Sequence, residues 1–425
     1  MDESTTDPEV KPDFYDSGIE QDDDNDRLDD PFDPEEISID SKVVSMDNCL
    51  RRLTQGTITL NPDFQRKEVW TEDKKSQLIE SLMLKIPLPM FYVSADEKNN
   101  YTVVDGLQRL STIRSFILGD NYLKSYIAVK EGKSQTPSVE LDKLKGNGFI
   151  LQNLEFWDIY NGSNFNKLPL NIRNNILDTE FRFTVINPGT PEEVRRNIFK
   201  RINTGGLPLS GQEIRNALYI GQSTELLNEL SQYPEFKTAT GASIRSLRME
   251  DKELILRFLS FLIRDYTTYK RTINADSLMS DTMIIINAMP SLDTREFKKL
   301  YLKEKLNIDD VSVREIESLK VLFKHAMSRA YKLFDRHTFR KSYGNKARSP
   351  INKALFETWG VLLSKISEDQ FKILLKNKHA FLKDCEKLID SYEFQLNISR
   401  DSMKNTAVKS RFERSSALIL KYSHD

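Results

Sequence analysis

Cysteine is nearly missing from this 425-residue chain: Cys49 and Cys385 stand far apart, with no Cys-x-x-Cys or Cys/His ligand spacing. Neither a disulfide framework nor a structural zinc site is indicated, and a reducing cytoplasm fits best. Histidine is scarce as well. His325, His337, His379 and His424 form no Asp-His or His-x-x-x-His cluster, whereas an HNH-type nuclease needs a histidine base beside a metal with further ligands. DNA cleavage by this chain alone is therefore not expected. No run approaches the roughly 18 consecutive apolar residues that span a bilayer, and the acidic start of the chain argues against a secretory signal. A phosphate-binding Gly-x-x-x-x-Gly-Lys loop, a Gly-x-Ser-x-Gly elbow and a His-Glu-x-x-His metalloprotease motif are all missing.

At 39% apolar residues over 425 positions, the chain can form two or three cores of ordinary domain size. Its formal net charge of -2 hides an asymmetry. Residues 1–40 hold 17 Asp/Glu and 2 Lys/Arg, a net of -15, and the remainder holds 60 Lys/Arg against 47 Asp/Glu, a net of +13. A basic body behind an acidic tail suits a polyanion ligand, with the tail competing for the same surface. A purely solvating tail is the plainer alternative.

Residues 1–40 lack apolar periodicity and are expected to be a disordered acidic tail. Order is expected from near Ser45, where Met46, Cys49, Leu50 and Leu53 recur at helical spacing before Gly56. Thr71 caps a second helix whose buried face is Leu78, Ile79, Leu82 and Met83, stopped by Pro87 and Pro89. Met90–Val93 and Tyr101–Val104 read as a hairpin around Glu97-Lys98-Asn99-Asn100. The second strand passes through Asp105-Gly106 directly into a helix over Leu107–Leu118. Residues 121–180 show little pattern and read as an insertion. Phe181–Ile186 alternates like a strand, Thr190-Pro191-Glu192-Glu193 opens a helix reaching about Arg201, and Ser210-Gly211-Gln212-Glu213 is a second capping box. From about residue 221 the period is helical nearly to the end. The expected architecture is α+β, with an α/β domain over 41–220 and an all-α domain over 221–425.

The segment Tyr101–Arg109 carries the clearest chemistry. A strand turning through Asp-Gly into a helix leaves the first helical N–H groups unpaired, where the helix dipole favours an anion. Gly106 permits the turn and a close approach, Gln108 adds a donor, and the Arg109 guanidinium can grip two phosphate oxygens. Asp105 can hold a metal or orient a water. Equally, Asp105 caps the helix while Arg109 pairs with a surface carboxylate. Gln65 and Arg66 lie in a polar loop, and Asn203-Thr204-Gly205-Gly206 reads either as an anion cradle or as a plain helix C-cap. Arg215 follows in the second capped helix.

Taken in order, Asn61-Pro62-Asp63-Phe64-Gln65-Arg66, Trp70, Val104-Asp105-Gly106-Leu107-Gln108-Arg109, Arg201-Ile202-Asn203-Thr204-Gly205-Gly206 and Glu213-Ile214-Arg215-Asn216-Ala217-Leu218 resemble the family of GmrSD restriction endonuclease N-terminal domains. The likeness extends over about residues 45–415, and Leu107 departs from it, standing where many members are polar. The resemblance implies a ParB/sulfiredoxin-like core and a nucleotide-hydrolysing or nucleotide-sensing module in defence against foreign DNA. It implies that Asp105, Gln108 and Arg109 act on a nucleoside triphosphate with Mg2+. Gln65, Arg66, Gly106, Asn203, Thr204, Gly205, Gly206 and Arg215 would then bind nucleotide or phosphate. The expected activity is triphosphate hydrolysis without a P-loop. Two other readings stay open: an inert nucleotide or DNA sensor serving a separate nuclease, and a DNA-nicking enzyme. DNA and an HNH-type nuclease subunit are the expected partners, and a homo-oligomer is compatible with the sequence.

Overall fold

A computed structural model describes residues 18–20, 38–60, 70–119, 148–188, 190, 194, 198, 210–244, 248–270, 274–304, 306, 308–399 and 402–424. The chain divides into two compact units, one of Leu28–Leu218 and the other of Tyr219–Asp425 together with Met1–Arg27.

The first unit is built on five strands, β1 (Ile39–Ser45), β2 (Ile58–Thr59), β3 (Phe91–Ala95), β4 (Tyr101–Asp105) and β5 (Glu180–Ile186). Their order in the sheet is β1-β5-β3-β4-β2. β1 runs antiparallel to β5 with Ile39 opposite Ile186, and β3 runs parallel to β5 with Phe91 opposite Phe183. The β3–β4 hairpin forms as its sequence pattern predicts, and Asp96 ties its turn by accepting from the Lys98 and Asn100 amides at 2.8 Å each.

Helices α1 (Met46–Thr54), α2 (Glu72–Met83), α3 (Leu107–Leu118), α4 (Leu170–Leu177) and α5 (Gly211–Leu218) complete the described elements of this unit. Ser45 and Thr71 cap α1 and α2 through their hydroxyls. Phe91, Phe181 and Phe183 meet edge to face in the core, with ring centroids 5.0 and 5.6 Å from Phe91.

β1 departs from the expectation that order starts near Ser45. Only Val44 of its seven residues is buried, so it shows no apolar alternation. Its pairing with β5 supplies the order instead, since backbone hydrogen bonds do not depend on side-chain pattern. The stretch read as an insertion holds α4 and two short 3-10 turns, Asp158–Tyr160 and Phe165–Lys167; residues 121–147 of it lie outside the described residues. Pro191, Glu192 and Glu193 lie outside them too, while the Thr190 hydroxyl exchanges hydrogen bonds with the Ser38 backbone.

The second unit is helical: α6 (Gln222–Gln232), α7 (Pro234–Thr240), α8 (Glu250–Ile263), α9 (Ala275–Ala288), α10 (Arg295–Glu304), α11 (Ile316–Phe334), α12 (Lys353–Lys365), α13 (Glu368–Lys376), α14 (Lys378–Asp390), α15 (Tyr392–Ser399) and α16 (Asn405–Ser423). Eleven of the fourteen residues of α8 are buried, as befits a helix enclosed on all sides. A charged cluster lies inside this core. The Glu357 carboxylate, fully buried, accepts from Arg257 Nε at 3.0 Å and from Arg411 Nη2.

The tail expected over residues 1–40 is corrected at two places. Asp40 with Ile39 belongs to β1, and Gly18–Glu20 packs on the helical unit, with Ile19 buried and bridged to Ile351. Net charge says nothing about a three-residue segment that finds backbone partners. No helix among the described residues is long and apolar enough to cross a membrane.

Candidate functional site

The strand-turn-helix at Asp105-Gly106 forms as the change of period indicates. β4 pairs Asp105 with Tyr92 and Val103 with Val93, so Val104 is an extra residue with no partner of its own. This bulge turns both Val103 and Val104 into the core and re-aims Asp105 at the end of the strand. Gly106 takes a left-handed conformation, φ 90° and ψ 10°, and is the N-cap of α3. A Cβ there would run into the Phe91 ring, so both the backbone and the packing demand glycine. Leu107 is buried, which accounts for an apolar residue at this position. The first backbone bond of the helix runs from the Leu110 amide to the Gly106 carbonyl at 2.9 Å, and the amides of Leu107, Gln108 and Arg109 precede it.

Asp105 does not cap the helix. Its Oδ2 accepts from Arg109 Nη2 at 3.0 Å, an i,i+4 pair that closes over Gly106. Arg109 also donates from Nη1 to the Pro89 carbonyl and from Nη2 to the Met90 carbonyl at 3.2 Å, and its guanidinium lies 4.5 Å from the centroid of Phe91. Three of its five N–H groups are thus engaged in the turn. Burial pushes its pKa below the ordinary value and Asp105 pushes it back up. The Gln108 side chain is half-buried.

Gln65, Arg66, Asn203, Thr204, Gly205 and Gly206 lie outside the described residues. Arg215 is 2% exposed on α5, where its Nε donates to Gln212 Oε1 at 2.9 Å and Gly211 leaves room for the guanidinium. The capping box before it closes as expected. Glu213 accepts from the Ser210 amide at 2.6 Å, and the Ser210 hydroxyl accepts from the Glu213 amide at 3.1 Å. Arg215 therefore belongs to a buried polar cluster, and the bonds of Asp105 and Arg109 stay within their own turn and the entry to β3.

Among the described residues, no group of three or more His, Cys, Asp or Glu side chains could hold a metal ion. Asp105, the carboxylate at the turn, shares its Oδ2 with the Arg109 guanidinium. His337, by contrast, is buried, with Nδ1 2.9 Å from Ser342 Oγ and Nε2 2.9 Å from the Gly344 carbonyl.

Two polar features escaped the sequence reading. Glu80, 3% exposed on α2, accepts from the amides of Glu155, Phe156 and Trp157 at 3.0, 2.8 and 2.9 Å. Burial raises its pKa, and the three amides more than reverse this, leaving the carboxyl below its ordinary value. At the start of β4 the Tyr101 hydroxyl accepts from Lys42 Nζ at 3.1 Å, and the Arg52 guanidinium lies 4.0 Å from the ring centroid. Burial raises the Tyr101 pKa, but the two cations outweigh it and bring it below the ordinary phenol value.

Residues 48–220 match the family model of the GmrSD restriction endonuclease, N-terminal domain. This segment is a GmrSD N-terminal domain. The Asp105-Gly106 turn, the sheet strands β2 to β5 and helix α5 all fall within it. No curated protein and no solved structure matches the chain.

Proposed function

We propose that the GmrSD N-terminal domain of this chain binds a nucleoside triphosphate at the start of α3 and hydrolyses it, as a module of a DNA-modification-dependent restriction or anti-phage system. The carrying observation is the turn itself. Gly106 opens α3 ahead of the amides of Leu107, Gln108 and Arg109, and the Arg109 guanidinium lies beside Gly106; a helix start and a guanidinium each favour phosphate. The family description supports the restriction context.

In this reading Arg109 holds phosphate and stabilises the charge that develops as the terminal phosphoryl group leaves, and Gln108 orients the attacking water. Asp105 positions Arg109 and organises that water. Mg2+ arrives bound to the triphosphate, as part of the substrate. Gln65, Arg66 and Asn203 to Gly206 are the further phosphate ligands of this proposal, and Arg215 supports the helix that follows them. The core is assigned to the ParB/sulfiredoxin-like class. DNA and a separate HNH-type nuclease subunit are the partners that nucleotide state would control.

The existing bonds of Arg109 favour a second reading, an inert sensor. A guanidinium already held by Asp105 and two carbonyls can exchange a carboxylate for a phosphate and move the turn without any chemistry. Multiple-turnover phosphate release from a panel of nucleoside triphosphates separates the two. Calorimetry on the parent and on Arg109→Ala tests the site itself: if that folded variant binds and hydrolyses like the parent, the turn is not the site.

A further inference from the structure

Among the described residues of the acidic tail, Gly18–Glu20 is attached in the manner of a recognised peptide. Ile351, fully buried, pairs with Arg340 on one side and offers its other edge to Ile19. The Glu20 amide donates to the Ile351 carbonyl at 2.8 Å and the Ile351 amide donates to the Gly18 carbonyl at 3.0 Å, the bonding of an added parallel strand.

Side chains then select among strands. At position 18 a Cβ would collide with the Ser243 carbonyl, and φ is 75°, so glycine is required. Position 19 enters the core and is 5% exposed. At position 20 the carboxylate is met by Lys341 Nζ and by Asn352 Nδ2 at 3.0 Å.

The receiving residues also have partners outside the tail. Asn352, 2% exposed, also donates to the Ile398 carbonyl at 2.7 Å and caps α12 by accepting from the Leu355 amide at 2.9 Å. Lys341 is steadied by Ser399 Oγ at 2.7 Å. Arg340, 4% exposed, fixes the wall beside Gly18 by donating to the Thr240 carbonyl at 3.0 Å and to Ser243 Oγ at 2.8 Å. An edge with one open side, a wall that admits only glycine, an apolar socket and a paired cation and amide together define a ligand.

We propose that the edge of Ile351, with Ser243, Lys341 and Asn352, is a peptide-binding site for a Gly-apolar-Glu strand, and that Gly18-Ile19-Glu20 is its tethered occupant. The proposal is independent of the nucleotide reading, because none of its residues belongs to the GmrSD N-terminal domain. Three residues make few contacts, and tethering supplies the missing affinity by raising the local concentration of the segment. The occupant is therefore exchangeable, and the tail can be released without unfolding its receptor.

The test uses the full chain and a fluorescent peptide copying Tyr15–Asp22. In the parent the site is filled from within. Gly18→Val and Glu20→Lys each empty it by a different route, and both variants should keep the parent thermal transition. Peptide binding measured by polarisation is expected in both variants, with affinity at least tenfold weaker in the parent. A peptide carrying Val in place of its glycine should bind none of them. Equal binding to parent and variants overturns the proposal, as does no binding to either emptied variant at millimolar peptide. Binding that ignores the glycine substitution also overturns it, because the wall at Ser243 would then select nothing.

Discussion

Asp105 and Arg109 close on each other over Gly106, with Oδ2 and Nη2 3.0 Å apart at one end of a guanidinium whose other N–H groups reach the Pro89 and Met90 carbonyls. The pair makes Arg109 a structural element of the turn before any ligand arrives. It also sets a negative charge beside the place where phosphate is proposed to bind. Asp105→Asn should therefore tighten triphosphate binding by several-fold while lowering turnover. Arg109→Lys keeps the charge and loses the fork, so affinity, turnover and thermal stability should all fall. Gln108→Ala should lower turnover on the order of 10²-fold and leave affinity nearly unchanged, as expected of a group that positions water in the transition state. Calorimetry beside phosphate release measures all three, and unchanged affinity in Asp105→Asn would place phosphate elsewhere.

Glu80 yields a pH prediction. Its folded pKa lies below the ordinary carboxylate value, so the stability it contributes is complete above the unfolded value of about 4.3 and is lost as pH falls through the folded value. Glu80→Gln should cost about 1.5–3 kcal/mol at neutral pH, the range for hydrogen bonds to a charged group. Urea unfolding of parent and variant at pH 7 and at pH 3 should show that difference shrinking in acid. A difference that stays constant would mean that the loop Glu155–Trp157 is held by something other than the carboxylate charge.

The acidic tail should oppose polyanion binding by the basic remainder, since -15 faces +13. Replacing Asp22, Asp23, Asp24 and Asp26 with Asn in the full chain should strengthen DNA binding at low salt, with the gain fading as salt screens it. Substitution suits the test better than truncation near Ser41, which would remove Ile39 and Asp40 from β1. Identical affinities across the salt range would rule out electrostatic competition by these residues.

Inside the helical unit, the single negative charge of Glu357 is shared by two buried guanidinium groups, Arg257 and Arg411. Glu357→Gln leaves those charges without their counter-ion and should destabilise the unit by about 3–5 kcal/mol. A thermal transition within a degree or two of the parent would show that the pair is hydrated or compensated by other groups.

Periodicity and turn chemistry alone determined much of the local structure. The spacing of Met46, Cys49, Leu50 and Leu53, the caps at Thr71 and Ser210, the hairpin around Glu97 to Asn100 and the Asp105-Gly106 turn all depend on interactions within a few residues, and they stand as read. What joins distant residues was decided by the tertiary structure. β1 is an exposed strand that exists because β5 is beside it, and Ile19 is ordered because Ile351, more than 300 positions away, has an open edge. Glu80 is ionised in a buried place because the loop Glu155–Trp157 turns three amides toward it. The partners of Arg109 belong to both levels. Asp105 is four residues away and was in reach of the sequence, whereas the carbonyls of Pro89 and Met90 come near only when β3 pairs with β4. Local propensity carries no information about which strand will lie alongside, so the free or engaged state of that guanidinium could be known only from the folded chain.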